Sequence, residues 1–322
     1  MGRTPSNQDE TMRRAPSLLV SFTVVLLVGA SEFPEYPDDP SAFTTVIEAR
    51  EYDDRFETVA DLLGHVAGVR VRRYGGLGAF STASVRGAKS ERVLVLLDGV
   101  RLNSAYRGTV DLSTLPIRTV ERIEVVRGGG AARYGSAAVG GVISITTRRG
   151  EAEPGIDASG FGGDMGTLGG DVLVSGRHGR LGVALAYDRL RSDNDFRFDR
   201  SLRGLGGFFP GLPLAETRHT RLGAGFLKQT GMARLELDAG RDRGLVGMLH
   251  LHETERGQPG STHGPTPVGS PDDLVSCPHA TEETRRAVGS LAFYDRWLGP
   301  GSLEVALSHR FEKWSLHDPA GL

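Results

Sequence analysis

Residues 93–99 read Val93-Leu94-Val95-Leu96-Leu97-Asp98-Gly99, and this stretch decides the class of the fold. Five apolar residues in a row, followed at once by an acid and a glycine, describe a strand buried on both faces and closed by a tight turn. Outward from it, residues 120–126 and 142–147 are two more strand candidates, each carrying β-branched residues. On the N-terminal side, Phe56, Val59, Ala60, Leu63 and Val66 recur at helical spacing, with Glu57 and Asp61 opposite and Gly68 as a stop signal. One amphipathic helix is therefore expected over 56–66. Short strands around one helix predict a compact α+β unit over residues 44–149, with a boundary near Gly150.

Beyond the boundary the period becomes two. Asp171, Leu173 and Ser175 alternate with Val172, Val174 and Gly176, and Leu181, Val183, Leu185 and Tyr187 alternate with small residues. The same alternation returns at 221–227, 233–239, 288–297 and 302–314, which predicts a meander of half-exposed strands over 150–322. With aromatic residues at the strand ends (Tyr187, Phe226, Tyr294, Trp297, Trp314), the pattern is that of an outer-membrane barrel, the alternative being a soluble periplasmic β-domain.

Composition narrows the function. Of 322 residues 45 are Gly, about twice the usual share. Gly costs ~1 kcal/mol relative to Ala inside a helix, so a helical bundle is excluded. Lys+Arg 38 against Asp+Glu 40 gives a net charge of −2 and no basic field for nucleic acid. The single cysteine, Cys277, excludes an internal disulfide and a thiolate zinc cluster. At the N-terminus, Arg13-Arg14, an apolar run over 18–28 and Gly29-Ala30-Ser31 form the three parts of a secretory signal, so residues 1–30 are expected to be cleaved off after Ala30. The segment 31–43, acidic and carrying Pro34, Pro37 and Pro40, reads as an extended tether.

In order along the first unit stand Val85-Arg86-Gly87, Val95-Leu96-Leu97-Asp98-Gly99-Val100, Leu115-Pro116, Val120-Glu121-Arg122-Ile123-Glu124-Val125, Arg127-Gly128, Tyr134-Gly135 and Gly140-Gly141-Val142-Ile143. This series resembles the plug domain of TonB-dependent outer-membrane receptors, and residues 74–115 are most similar to the cobalamin receptors among them. The resemblance implies an α+β plug domain followed by antiparallel β-strands of an incomplete 22-stranded transmembrane β-barrel. It also implies an outer-membrane location and energy-coupled uptake of a scarce metal chelate or vitamin, either cobalamin or a ferric siderophore. The implied partner is a TonB-type inner-membrane energy-coupling protein. A soluble periplasmic plug-like module, or a non-functional fragment of a receptor gene, is the alternative.

The family's outward plug apices map onto 74–81 and 102–109, so Tyr74, Phe80, Asn103, Ser104, Tyr106 and Arg107 are the expected substrate-binding residues. Aromatic faces among orienting polar groups suit a planar ligand. By the same resemblance Arg86 and Arg127 are plug–barrel contacts whose glutamate partners come from later strands, so both are expected to lack them here. Two departures stand out. Arg127-Gly128-Gly129 replaces the usual Arg-Gly-Pro, and residues 43–47 read either as a motor-binding box or as the plug's first strand. At ~20 residues per strand, the part after Gly150 supplies about eight strands against 22 in a plugged transporter. The expectation is a truncated chain.

No enzyme chemistry is expected. The glycine clusters 75–78 and 128–130 lack the Gly-Lys-Ser/Thr of a phosphate loop, and Ser84, Ser104 and Ser136 lack a nucleophile's context. Asp193-Asn194-Asp195 with Asp199 lacks the glycine and terminal Glu of a hand-type calcium loop. His250 and His252 share one face of an extended strand and could hold a metal with a third ligand, but a lumen-facing pair is the preferred reading. No metal or cofactor is assigned.

Overall fold

The computed structural model describes residues 19–29, 42–52, 58–105, 107–128, 134, 138–200, 217–221, 223–240, 243–258, 280–298 and 301–317. The chain opens with β1 (Leu19–Gly29). The first unit holds β2 (Ala42–Glu48), α1 (Val59–Leu63), β3 (Val69–Arg73), β4 (Ser81–Val85), β5 (Val93–Leu97), β6 (Val100–Arg101), β7 (Val120–Gly128) and β8 (Gly141–Thr147). The wall follows as β9 (Gly155–Gly163), β10 (Thr167–His178), β11 (Leu181–Ser192), β12 (Phe196–Arg200), β13 (Thr217–Arg221), β14 (Phe226–Gly240), β15 (Arg243–Gln258), β16 (Ala280–Leu298) and β17 (Gly301–His317).

All five residues of β5 are buried, because the strand lies inside a five-stranded mixed sheet ordered β2-β7-β8-β5-β6. Val93, Val95 and Leu97 face α1, Ile123, Val125, Ile143 and Ile145, while Leu94 and Leu96 pack with Val126 and Val142 on the opposite face. Burial on both faces is what an uninterrupted apolar run requires. β2 pairs antiparallel with β7 from Ala42↔Gly128 to Glu48↔Arg122. Residues 43–47 therefore form the unit's first strand.

The helix is shorter than its periodicity suggests. Thr58 is the N-cap of a capping box: its backbone N–H donates to the Asp61 carboxylate at 3.1 Å, and its hydroxyl accepts the Asp61 N–H at 3.3 Å. Asp61, expected on the solvent side of the helix, instead seals this end and pairs with Arg73 at 2.6 Å. A cap at Thr58 prevents the described helix from reaching back to residue 56.

The wall is an eight-stranded antiparallel sheet ordered β1-β17-β16-β15-β14-β11-β10-β9, with β12 and β13 as a separate hairpin. Residues 221–227, expected as one strand, are split. β13 ends at Arg221 and β14 begins at Phe226, with Gly223 between them at φ +73°. β15, beyond the expected strands, carries the alternation Leu249-His250-Leu251-His252, with the leucines exposed and the histidines buried. β1, the run read as the apolar core of an export signal, lies along β17 from Leu19↔Glu312 to Gly29↔Ser302. At one end of the sheet short segments link β10 to β11, β14 to β15 and β16 to β17; at the other, β9 to β10 is also short, while long segments link β11 to β14 and β15 to β16. Outer-membrane barrels have this asymmetry, with short turns on the periplasmic side.

The two faces of the wall invert the usual order. Leu235, Leu237, Leu249, Leu251, Leu291 and Leu307 point outward and are exposed, while Lys228, Thr230, Arg234, His250, His252 and Arg286 point inward and are buried against the first unit. An exposed apolar band with a polar interior suits a sheet whose outer solvent is lipid. Among the described residues no helix is long and apolar enough to cross a membrane.

Candidate functional site

Two acids of the first unit anchor it to the wall. Asp98 and Gly99 form the predicted turn after β5, both in the left-handed region at φ +44° and +79°. That geometry aims the Asp98 carboxylate at β8 and β14. It accepts the Thr147 N–H at 3.0 Å and hydroxyl at 2.5 Å, and the Arg234 Nη1 at 2.9 Å. Arg234 also donates to Glu236 at 2.9 Å, and Glu236 takes Arg177 at 2.8 Å. Every charge in this buried chain has a counter-charge, which is the condition for ions to survive out of water.

Asp111 is the second anchor. One carboxylate oxygen collects the Ser81 N–H (3.0 Å), the Ser113 N–H (3.1 Å) and the Ser113 hydroxyl (2.7 Å). The other accepts Arg256 of β15 at 3.0 Å. The 3-10 turn Leu112–Thr114 that follows receives Lys228 of β14 on the Ser113 carbonyl (3.2 Å) and Arg286 of β16 on the Thr114 hydroxyl (2.7 Å). Three neighbouring strands thus each send one cation to one turn.

The loops expected to meet ligand lie at the end of the wall that carries the long connections. Asn194, just after β11, donates to the Leu77 carbonyl at 3.1 Å. Gly78 sits at φ +70°, so close to the Phe226 ring that an added Cβ would come within 2.5 Å. Tyr74 is 55% exposed, with its ring 5.6 Å from Phe80 and the Arg72 guanidinium 5.0 Å above it. Arg107 lies 5.9 Å from the Phe80 ring and 5.2 Å from Trp314 of β17, whose indole N–H donates to Glu282 at 2.8 Å. The Tyr74 and Phe80 rings are tilted by 51° to one another, and the Arg107 guanidinium lies near both Phe80 and Trp314.

The structure brings Tyr74, Phe80 and Arg107 together and gives two other expected residues different work. Asn103 is buried; its amide accepts the Val95 N–H at 2.9 Å and donates to the Val93 and Gly108 carbonyls at 2.9 and 2.8 Å. It braces the loop against β5. The Ser104 hydroxyl accepts the Arg107 N–H at 3.4 Å and shapes the same loop. Tyr106 lies outside the described residues. Sequence reasoning missed Arg72, Trp314 and Glu282 as members of the cluster; Trp314 was visible only as a strand-end aromatic.

Arg86 stacks over Phe43 at 5.0 Å, and Arg127 donates to the Thr45 hydroxyl at 2.5 Å. The ion pairs among the described residues include neither. Burial first, and then the neighbouring Arg86 charge, hold Arg127 below the ordinary guanidinium value.

A mixed domain tied by buried ion pairs to the inner face of a strand meander, whose outer face is apolar, is the fold of a plug against part of an outer-membrane barrel wall. Residues 37–142 match the TonB-dependent Receptor Plug Domain model, and the chain carries that domain followed by antiparallel strands of the same receptors' barrel fold. It is similar to the vitamin B12 transporter BtuB of Vibrio cholerae serotype O1, with 34% identity over 168 residues, 51% of this chain and 27% of the relative. Its fold is similar to the alcaligin outer-membrane receptor FauA of Bordetella pertussis (TM-score 0.61, 14% identity, 88% of this chain and 41% of that one). It also resembles the ferric enterobactin receptor PfeA of Pseudomonas aeruginosa (TM-score 0.57, 20% identity, 84% and 41%). The chain spans about a quarter of the length of the curated relatives it matches.

Proposed function

We propose that this chain is the plug and part of the barrel wall of an outer-membrane receptor for energy-coupled uptake. Its ligand is a scarce metal chelate or vitamin, cobalamin before ferric siderophores, and its motor is a TonB-type inner-membrane protein. The observation that carries the reading is the outward cluster of Tyr74, Phe80, Arg107 and Trp314, built jointly by plug loops and wall. The resemblance of residues 74–115 to cobalamin receptors and the V. cholerae relative favour cobalamin. Arg72 and Arg107 suit an anionic ferric chelate as well. No step of chemistry is needed: the site has only to bind, and the motor supplies the work.

Titration of the outer-membrane-embedded chain with cobalamin and with a ferric catecholate tests this. One of the two saturates, and Phe80→Ala or Arg107→Ala weakens it by roughly 3- to 10-fold, the value of one aromatic or cation–π contact. Recovery of the chain in the soluble periplasm, or affinity indifferent to both substitutions, overturns the proposal.

A further inference from the structure

Glu282 of β16 stands where the wall meets a plug loop. It is 9% exposed, and a carboxylate so far from water has to be held by donors. Its Oε1 accepts the Trp314 indole N–H at 2.8 Å and lies 3.9 Å from Nη1 of Arg107 in the plug loop. Trp314 is its diagonal neighbour across the β16–β17 pair, since Glu282 stands directly opposite Leu316. Arg256, opposite Glu282 on β15, donates to Asp111 at 3.0 Å.

The acid changes what this surface offers a ligand. The Arg107 side chain is 41% exposed, and its guanidinium lies 5.9 Å from the Phe80 ring and 5.2 Å from the Trp314 ring. Alone it would present a full positive charge beside two aromatic faces. A carboxylate 3.9 Å away offsets much of that charge for a ligand resting on the rings. We propose that Glu282 is a specificity-determining residue: by offsetting Arg107 it turns the Phe80 and Trp314 side of the surface toward an uncharged flat ligand and away from a polyanionic chelate. The kind of ligand rests on the uptake reading; the offset rests only on Glu282, Arg107 and Trp314.

Charge and shape can be separated at this position. Gln matches Glu in size and keeps an acceptor for the indole N–H, whereas Asp keeps the charge on a shorter side chain. If the charge decides, Gln alters selectivity and Asp preserves it. If only the fit against Trp314 decides, the order reverses.

The test uses the full chain embedded in outer membrane, with Trp297→Phe so that Trp314 is the one tryptophan. Without ligand, quenching of Trp314, which is 44% exposed, by iodide and by caesium reads the local charge. Glu282→Gln should raise the iodide-to-caesium quenching ratio about 2-fold. Glu282→Asp should keep it near the parent value, as should Glu255→Gln on the exposed outer face of β15. Titration with cyanocobalamin, which is uncharged, and with a ferric tricatecholate, a trianion, follows. The ratio of trianion to cobalamin affinity should rise about 10-fold at low salt in Glu282→Gln, and most of that gain should vanish at about 0.5 M salt. An unchanged quenching ratio or affinity ratio in Glu282→Gln, or equal shifts with Gln and Asp, overturns the proposal and leaves Glu282 as a brace for Trp314. If neither ligand binds the parent chain while Gln still moves the quenching ratio, the uptake reading falls and the offset of Arg107 by Glu282 stands.

Discussion

Replacing Asp98 by Ala removes a buried ion pair between plug and wall. Three bonds are lost, to the Thr147 N–H (3.0 Å), the Thr147 hydroxyl (2.5 Å) and Arg234 (2.9 Å). The Asp98 and Arg234 side chains are each only 7% exposed, so water replaces little of what is lost. Hydrogen bonds to charged groups contribute about 1.5–3 kcal/mol each but do not add. Arg234 keeps Glu236 at 2.9 Å, so the cost should fall at the low end of the 3–5 kcal/mol of a stranded buried charge. Ala at φ +44° adds ~1 kcal/mol of backbone strain.

The expected sum for Asp98→Ala is ~4 kcal/mol. Asp98→Asn, which tolerates the left-handed turn and keeps acceptor capacity, should cost ~1–2 kcal/mol. With a urea dependence of about 2 kcal/mol/M, the plug's unfolding midpoint should drop by ~2 M for Ala. Pulse proteolysis of the plug and hydrogen exchange at the Thr147 amide, which loses its acceptor, both read the effect. A double-mutant cycle with Arg234→Met should return a coupling of ~1.5–3 kcal/mol. A coupling below ~0.5 kcal/mol, with Thr147 exchange unchanged, would refute the claim that this pair joins the two units.

Gly78→Ala should displace the 74–81 loop, because the new methyl comes within 2.5 Å of the Phe226 ring at a φ of +70°. A cost of ~2 kcal/mol is expected, partly recovered by Phe226→Leu. Faster proteolysis in the loop is the readout, and no change would mean that the loop does not press on the wall. Leu249→Arg on the outer face of β15 should cost ~2–4 kcal/mol of folding stability in lipid, whereas Glu255→Lys at the strand's polar end should cost ~1 kcal/mol or less. Equal costs at the two positions would remove the assignment of that face to the hydrocarbon core.

The elements legible in the sequence are those whose information is local. The run Val93–Leu97 announces a strand buried on both faces, Asp98-Gly99 announces its turn, and the alternation through β10 and β11 announces a sheet with unlike faces. Each is a statement about neighbours one or two residues apart, and backbone geometry forces them. The helix length escaped, because periodicity continues past a boundary that the Thr58 cap decides. The three backbone groups that the Asn103 amide meets leave no mark in the sequence, where a polar loop residue looks the same whatever it bonds.

What only the tertiary structure decided is which inward group meets which. Asp98 finds Arg234, and Asp111 finds Arg256, across more than a hundred residues. Met232 comes to stand opposite His250 only through the β14–β15 register. Alternation tells that every second side chain of a strand points inward. The partner waiting there depends on strand order and stagger, which are set by the packing of the whole sheet around the plug and leave no mark on either residue's own neighbours.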